Sequence, residues 1–194
     1  MTRLETPLVS VILPCHDAQA TLSETLASLR AQTLARWELV AVDDGSTDET
    51  WRLLTTCGDP RVRPVHQVNR GPGAARNLAV LLARADCLAF QDADDVSLPT
   101  RLEAQHAALA RCPDVQIVAS GYTWIDERGD PITWRQPWEG WPPLNDLTGW
   151  LQGCPLVPSA TMMRRADYLA VGGMEPDLVG GEDWNLWMKL ALSG

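Results

Sequence analysis

The chain has 194 residues, about the length of one domain, and its 45% hydrophobic content can supply a real core. Its 25 acidic residues outnumber its 16 basic ones, and the formal net charge of −9 argues against a nucleic-acid backbone as partner, since phosphate binding needs clustered Lys and Arg. No run of about 18 apolar residues occurs, so no membrane span is predicted, and five scattered cysteines without a CxxC pair point to buried thiols rather than a disulfide framework or a zinc site.

The opening segment "MTRLETPLVSVILP" lacks the layout of a signal peptide, with Pro14 and His16 where a small-residue cleavage site would stand. A cytoplasmic protein is expected, with peripheral attachment at the inner face of a membrane left open. Residues 8–13, "LVSVIL", read as a buried strand ended by Pro14. Leu22, Leu26 and Leu29 then recur at helical spacing. A second strand, "WELVAV" at 37–42, runs into "DDGSTD", where Ser46 or Thr47 can cap a helix with Asp48 and Glu49 in its first turn. A weaker strand at 62–68 contains Pro64. A Gly-led helix follows at 71–85, a buried strand at 87–91, a helix at 98–112 with Pro99 near its start, and a strand at 115–120. Past residue 120, "YTWIDERGDPITW" reads as a hairpin. A Trp-, Pro- and Gly-rich stretch then reads as a long loop with a short helix near 146–152. "SATMMRR" returns as a strand, and residues 182–192 form an amphipathic helix.

Alternating strands and helices over the first 120 residues give a mostly parallel, Rossmann-like sheet flanked by helices on both faces, in a single α/β domain. Two acidic groups lie just past strand ends: Asp43 with Asp44, and Asp92 with Asp94 and Asp95. In such sheets the ligand crevice lies at the carboxyl ends of the strands, so both groups turn toward one crevice. Alternation along an extended segment sets Asp92 and Asp94 on the same side of "DAD". Carboxylates this close repel unless a cation lies between them, and Mg²⁺ or Mn²⁺ commonly bridges a carboxylate and substrate phosphates. Gly71 and Gly73 allow close backbone approach at a helix N-terminus, a place that favours anions, with Arg76 within reach.

The ordered series "VSVILPCHDAQATLSETLASLRAQT", "ELVAVDDGSTDET", "NRGPGAARNLAV", "LAFQDADD" and "GGEDWNLWMKLALSG" resembles family 2 glycosyltransferases, inverting enzymes of the GT-A fold that use nucleotide-sugar donors. The resemblance runs from about Leu8 to the last residue. It implies one GT-A domain over 1–194, with a nucleotide-binding half at 1–120 and an acceptor-side half at 121–194. The family often has Tyr-Asn where this chain has His16 and Asp17. Its members usually continue past the last helix, so a shortened form or a short member is expected.

The resemblance also implies roles. Asp94 is the first choice as metal ligand, and Asp92 faces the ribose or the metal, with Ala93 between them at the donor. The nucleobase is held by Asp43, slightly ahead of Asp44, in a pocket walled by Pro14, His16 and Asp17. Gly73 and Arg76 contact the nucleotide. Asp183 is the base that deprotonates the acceptor hydroxyl, with Glu182 as the alternative. The cofactor is Mg²⁺ or Mn²⁺, the donor a nucleotide-sugar, with a UDP-sugar preferred, and the acceptor a glycan or a lipid-linked sugar. Trp184 and Trp187 are expected to pack in the core, with a sugar-facing role the alternative for Trp184, whereas Trp138, Trp141 and Trp150 are as readily acceptor contacts as packing groups.

Competing motifs fail on chemistry. "DADDV" matches the start of a haloacid-dehalogenase phosphatase, but that reaction needs a lysine followed by further acids, and the sole lysine is Lys189. An EF-hand would want a ligand at Val96 and glycine at Ser97. A dehydrogenase would show GxGxxG after the first strand. A nucleotide-sugar binding module with little or no transferase activity remains the alternative.

Overall fold

The computed structural model describes residues 6–135, Gly149, Cys154, 156–178 and 180–193. The main sheet has six strands in the order β3-β2-β1-β4-β8-β5. Its parallel part comprises β1 (Val9–Cys15), β2 (Trp37–Asp44), β3 (Val62–Gln67) and β4 (Cys87–Phe90). The helices between them are α1 (Leu22–Arg30), α2 (Thr50–Thr56) and α3 (Pro72–Leu82). Beyond β4 come α4 (Arg101–Arg111), β5 (Ile117–Ala119) and a two-stranded hairpin of β6 (Tyr122–Ile125) and β7 (Pro131–Arg135). The chain then forms β8 (Thr161–Arg164), α5 (Arg165–Ala170) and α6 (Glu182–Ser193).

Side-chain alternation along the strands divides the interior in two. Ile12, Val40, Val42, Leu88 and Phe90 face α3, α5 and α6, where Ala75, Ala79, Tyr168, Trp187 and Leu190 complete one core. Val9, Val11, Leu13, Leu39 and Ala41 face the other way and meet Leu22, Leu26 and Leu29 of α1, Leu54 of α2, and Leu102 and Leu109 of α4. Both faces are thus covered, which explains why the strands read as continuous apolar runs. Trp187 is buried in the first core and Trp184 packs at its edge, as the helical spacing predicts.

One part of the sheet is not in chain order. β5 does not lie beside β4. The antiparallel strand β8 is inserted between them, pairing Leu88 with Met163 on one side and Ile117 with Met163 on the other. Buried Met162 and Met163 point to opposite cores, so this strand carries the same two-faced demand as its neighbours. The Trp-rich stretch with Trp138, Trp141 and Trp150, and most of the helix expected near 146–152, lie outside the described residues.

The order of strands positions the site. The chain passes from β1 outward through β2 to β3, then crosses back to β4 on the other side of β1. The loops after β1 and β4 therefore leave in opposite directions and open a crevice at their carboxyl ends.

Candidate active site

A cleft of about 490 Å³ occupies this crevice. Pro14 of β1, with His16 and Asp17 after it, forms one wall, and Asp44 at the end of β2 forms another. Arg76 of α3 and the turn of Asp92, Ala93 and Asp94 after β4 close the far side. Asp43, Gly73, Glu182 and Asp183 are not among its described walls.

The two adjacent aspartates of β2 divide by alternation. The sequence reading favours Asp43 as the nucleobase contact, but this carboxylate is fully buried, and its Oδ2 lies 2.8 Å from His66 Nδ1 on the neighbouring strand. Asp44 points to the cleft instead. Its oxygens accept Gln67 Nε2 at 2.6 Å and the amides of Arg70 and Gly71 at 2.9 and 2.8 Å. The φ of +86° at Gly71, a left-handed value suited to glycine, lets the chain turn those amides inward before α3 begins. His16 Nδ1 is 2.9 Å from the carbonyl of Asp44, and Asp17 Oδ1 accepts the Thr47 amide at 2.7 Å, which stitches the loops after β1 and β2 together.

Gly73 lies against protein: a Cβ there would stand 3.2 Å from the Glu175 carbonyl and 3.4 Å from Glu182 Cγ. Helical rotation carries it away from Gly71 and Pro72, which do line the cleft.

The acidic turn after β4 is held rigidly by neutral donors and acceptors. Gln91 Nε2 donates to the carbonyls of Asp92 and Asp95, and the Asp92 amide donates to Ser159 Oγ at 2.8 Å. Thr21 and Thr25 of α1 both donate to the Ala93 carbonyl, at 2.8 and 2.9 Å. Ala93 itself is buried in the second core, which leaves its neighbours Asp92 and Asp94 on the cleft side. Beneath the turn, buried Arg101 donates to Gln91 Oε1, Ser97 Oγ and the Phe90 carbonyl. Burial pushes its guanidinium down to about 10. Sequence reasoning missed Gln91, whose partners are backbone carbonyls of its own turn, and Ser159 and Arg101, whose partners lie on other elements.

Arg76 supplies the positive charge between the carboxylates. It is buried, and its Nη2 reaches Asp92 Oδ1 at 2.6 Å while its Nη1 reaches Glu182 Oε1 at 2.7 Å. Asp94 is exposed on the cleft wall and has no ion pair among the described residues. Asp95 titrates above the ordinary carboxylate range, first through burial and then through the charges of Asp92 and Asp94, with Ser159 opposing. Asp183, in the first turn of α6, is also raised, mainly by burial and further by Glu182. Its hydrogen bond from the Trp184 amide, at 2.7 Å, and the charge of Arg76 oppose that rise.

The described residues contain no group of three or more His, Cys, Asp or Glu side chains arranged to hold a metal ion by themselves. Asp94 and the second oxygen of Asp92 offer hard oxygen ligands on the cleft side. This pair suits a small divalent cation that completes its shell with phosphate and water, as Mg²⁺ does.

A family model described as glycosyl transferase family 2 matches residues 10–171. The chain belongs to this family. Among its relatives, the putative glycosyltransferase EpsE of Bacillus subtilis is 31% identical over 97% of this chain and 68% of its own length. WfgD of Escherichia coli, a UDP-Glc:alpha-D-GlcNAc-diphosphoundecaprenol beta-1,3-glucosyltransferase, is 36% identical over half of this chain and 39% of its own. The fold resembles S. aureus TarS 1–349 in complex with UDP-GlcNAc, with a TM-score of 0.78 and 24% identity over 95% of this chain and 53% of that one. It also resembles the mannosyltransferase PcManGT of Pyrobaculum calidifontis in complex with GDP-Man and Mn²⁺, with a TM-score of 0.69 and 23% identity over 97% and 53% of the two chains. The fold is the expected GT-A arrangement. The chain spans 31% of an uncharacterized Rickettsia felis glycosyltransferase and about half of the solved chains. No helix among the described residues is long and apolar enough to cross a membrane.

Proposed function

We propose that this glycosyl transferase family 2 chain moves a sugar from a nucleotide-diphospho-sugar to an acceptor hydroxyl with inversion. The observation that carries the reading is the meeting of an acidic turn and a buried arginine at the topological switch point, with the head of α6 tied to that arginine through Glu182. Asp44 and the loop after it, with Pro14 and His16, form the nucleobase wall. Asp43, further from the opening, supports that wall through His66. The sheet side, residues 1–120, holds the donor, and residues 121–194 serve the acceptor.

Asp94 and Asp92 would hold Mg²⁺ or Mn²⁺. When bound, the cation supplies Lewis-acid neutralisation of the diphosphate charge. Arg76 holds Asp92 in place through the 2.6 Å ion pair to its Oδ1. Asp183 accepts the proton of the attacking hydroxyl: its carboxylate is only partly solvated and its basicity is raised, which suits a general base. Inversion needs a single in-line displacement, with the base on the side of the acceptor and the diphosphate leaving on the other.

A UDP-sugar is the preferred donor. WfgD is named for UDP-Glc and one TarS structure holds UDP-GlcNAc, while the GDP-Man in PcManGT marks the rival nucleotide. The acceptor is a glycan or a lipid-linked sugar, the latter supported by the diphosphoundecaprenol in the WfgD name. A lipid-linked acceptor would bring the chain to the inner face of a membrane from the cytoplasmic side. The deciding experiment is calorimetric titration of UDP-GlcNAc and GDP-Man with Mn²⁺ and then with EDTA, paired with an assay for released nucleotide. Metal-dependent binding with turnover is expected. Binding without turnover on any acceptor would make the chain a nucleotide-sugar binding module, and no binding of either donor would sink both readings.

A further inference from the structure

Glu182 and Asp183 are neighbours at the head of α6, yet their surroundings differ. Glu182 is buried, and its Oε1 accepts Arg76 Nη1 at 2.7 Å. The other arm of the same guanidinium reaches Asp92 Oδ1 at 2.6 Å. One buried cation therefore ties the first turn of α6 to the first carboxylate of the turn after β4. Gly73 makes room for this link, since a Cβ there would press on Glu182 Cγ and on the Glu175 carbonyl. The Arg76 Nε has no hydrogen-bond partner, so the arginine is held by its two terminal nitrogens.

We propose that Glu182 and Arg76 are positioning residues, and that the Asp92–Arg76–Glu182 chain fixes Asp183 relative to the donor cleft. The proposal rests on the reading of Asp183 as base. A carboxylate bonded to a buried guanidinium is held in one place by a charge-assisted bond. The ion pair from Glu182 Oε1 to buried Arg76 suits Glu182 to an anchoring role. The link has a second consequence. The charged and titratable groups whose fields couple to Asp183 are Glu182, Arg76 and the Cys154 thiol. The like charge of Glu182 keeps Asp183 basic, and neutralising it leaves Arg76 less compensated. Both changes act in one direction, toward a more acidic Asp183.

The lower part of α6 buries Leu186, Trp187 and Leu190, so the helix has packing independent of the ion pair. Glu182→Gln is therefore the informative variant. The carboxyl titration of Asp183 is followed by ¹³C NMR in the 194-residue chain, and hydrolysis of UDP-GlcNAc with Mn²⁺ is measured beside it. In Glu182→Gln the Asp183 titration moves to lower pH, and kcat falls about 10- to 100-fold while the donor KM stays within about threefold, the pattern of a misplaced base. An unmoved titration with unchanged kcat overturns the proposal. So does a variant as inactive as Asp183→Asn whose Asp183 titration has not moved, because Glu182 would then be the base. If Glu182→Gln does not fold, Glu182→Asp keeps the charge and shortens the reach. It lowers kcat with the titration in place, and wild-type kcat there overturns the link. Full turnover in Asp183→Asn removes the base reading alone, and the NMR shift then decides whether the link exists.

Discussion

The two ends of the sheet treat their carboxylates in opposite ways. At the amino end, Glu38 of β2 is buried, and its two oxygens accept four hydrogen bonds. Ser10 Oγ and the Arg84 amide bind Oε1, both at 2.7 Å, while Arg63 Nη1 and Arg84 Nε bind Oε2 at 2.8 and 2.7 Å. Burial alone would raise its titration, but these hydrogen bonds outweigh burial and hold it below the ordinary range. At the carboxyl end, Asp92 and Glu182 share one arginine, Asp94 has no ion pair among the described residues, and Asp95 and Asp183 are raised. The amino end closes its electrostatics within the protein, whereas at the carboxyl end Asp43 and Asp44 are satisfied but the acidic turn and Asp183 are not. That asymmetry separates stability from function, since local rules are broken where a ligand completes them.

The strongest way to break the comparison is to test the open end for chemistry. Asp183→Asn is expected to abolish transfer while donor affinity stays near wild type, because the base acts on the acceptor. Loss of a general base commonly costs about 10²–10⁴-fold in rate. A variant with undiminished turnover would move the base elsewhere and leave the raised Asp183 without a role.

The closed end predicts a loss of stability instead. Glu38→Ala strands Ser10 and two arginines, and breaking a buried pair costs about 3–5 kcal/mol. Arg63 and Arg84 are partly exposed and can regain water, so about 3 kcal/mol is expected, read from urea unfolding at pH 7. The folded-state titration of Glu38 is depressed, so its contribution is present above the ordinary glutamate range near about 4.3 and fades as pH falls through and below it. A Glu38→Ala chain as stable as wild type at pH 7 would remove the contrast between the ends.

Sequence periodicity revealed the two cores and the parallel strands because alternation and helical spacing are local signals. The place of β8 was not legible, since nothing within "SATMMRR" names its partners. The choice between Asp43 and Asp44 needed the side on which the crevice opens, and that depends on the crossover from β3 to β4. Glu38 and Arg101 carry no local mark either: each gains its meaning from donors or acceptors on other elements.

A third test sharpens the claim that the open end awaits a cation. Asp94→Asn is expected to weaken UDP binding in Mn²⁺ by roughly 10- to 100-fold, the scale of one charge-assisted contact, with little change in EDTA. The Asp94 side chain is exposed, so the thermal midpoint should stay close to wild type. Equal losses with and without metal would assign Asp94 to the nucleotide rather than to the ion.

The smallest effect separates the two ends by sign. Asp183 is raised in the folded chain, so ionising it at neutral pH opposes folding, the reverse of Glu38. The folded state holds that proton more tightly than the unfolded state does, and stability contributed by the group declines as pH rises through the shifted range. Asp183→Asn removes the ionisation while keeping an oxygen for the Trp184 amide. It also forfeits the favourable meeting of a negative charge with a helix N-terminus, which tempers the gain. The expected result is a rise in Tm of about 2 °C at pH 7, equivalent to less than about 1 kcal/mol in a chain of this size. The gain should shrink as the pH is lowered until Asp183 is protonated in both states. A lower Tm at pH 7 would show that the helix terminus outweighs burial, and that the open end is not held at a cost to stability.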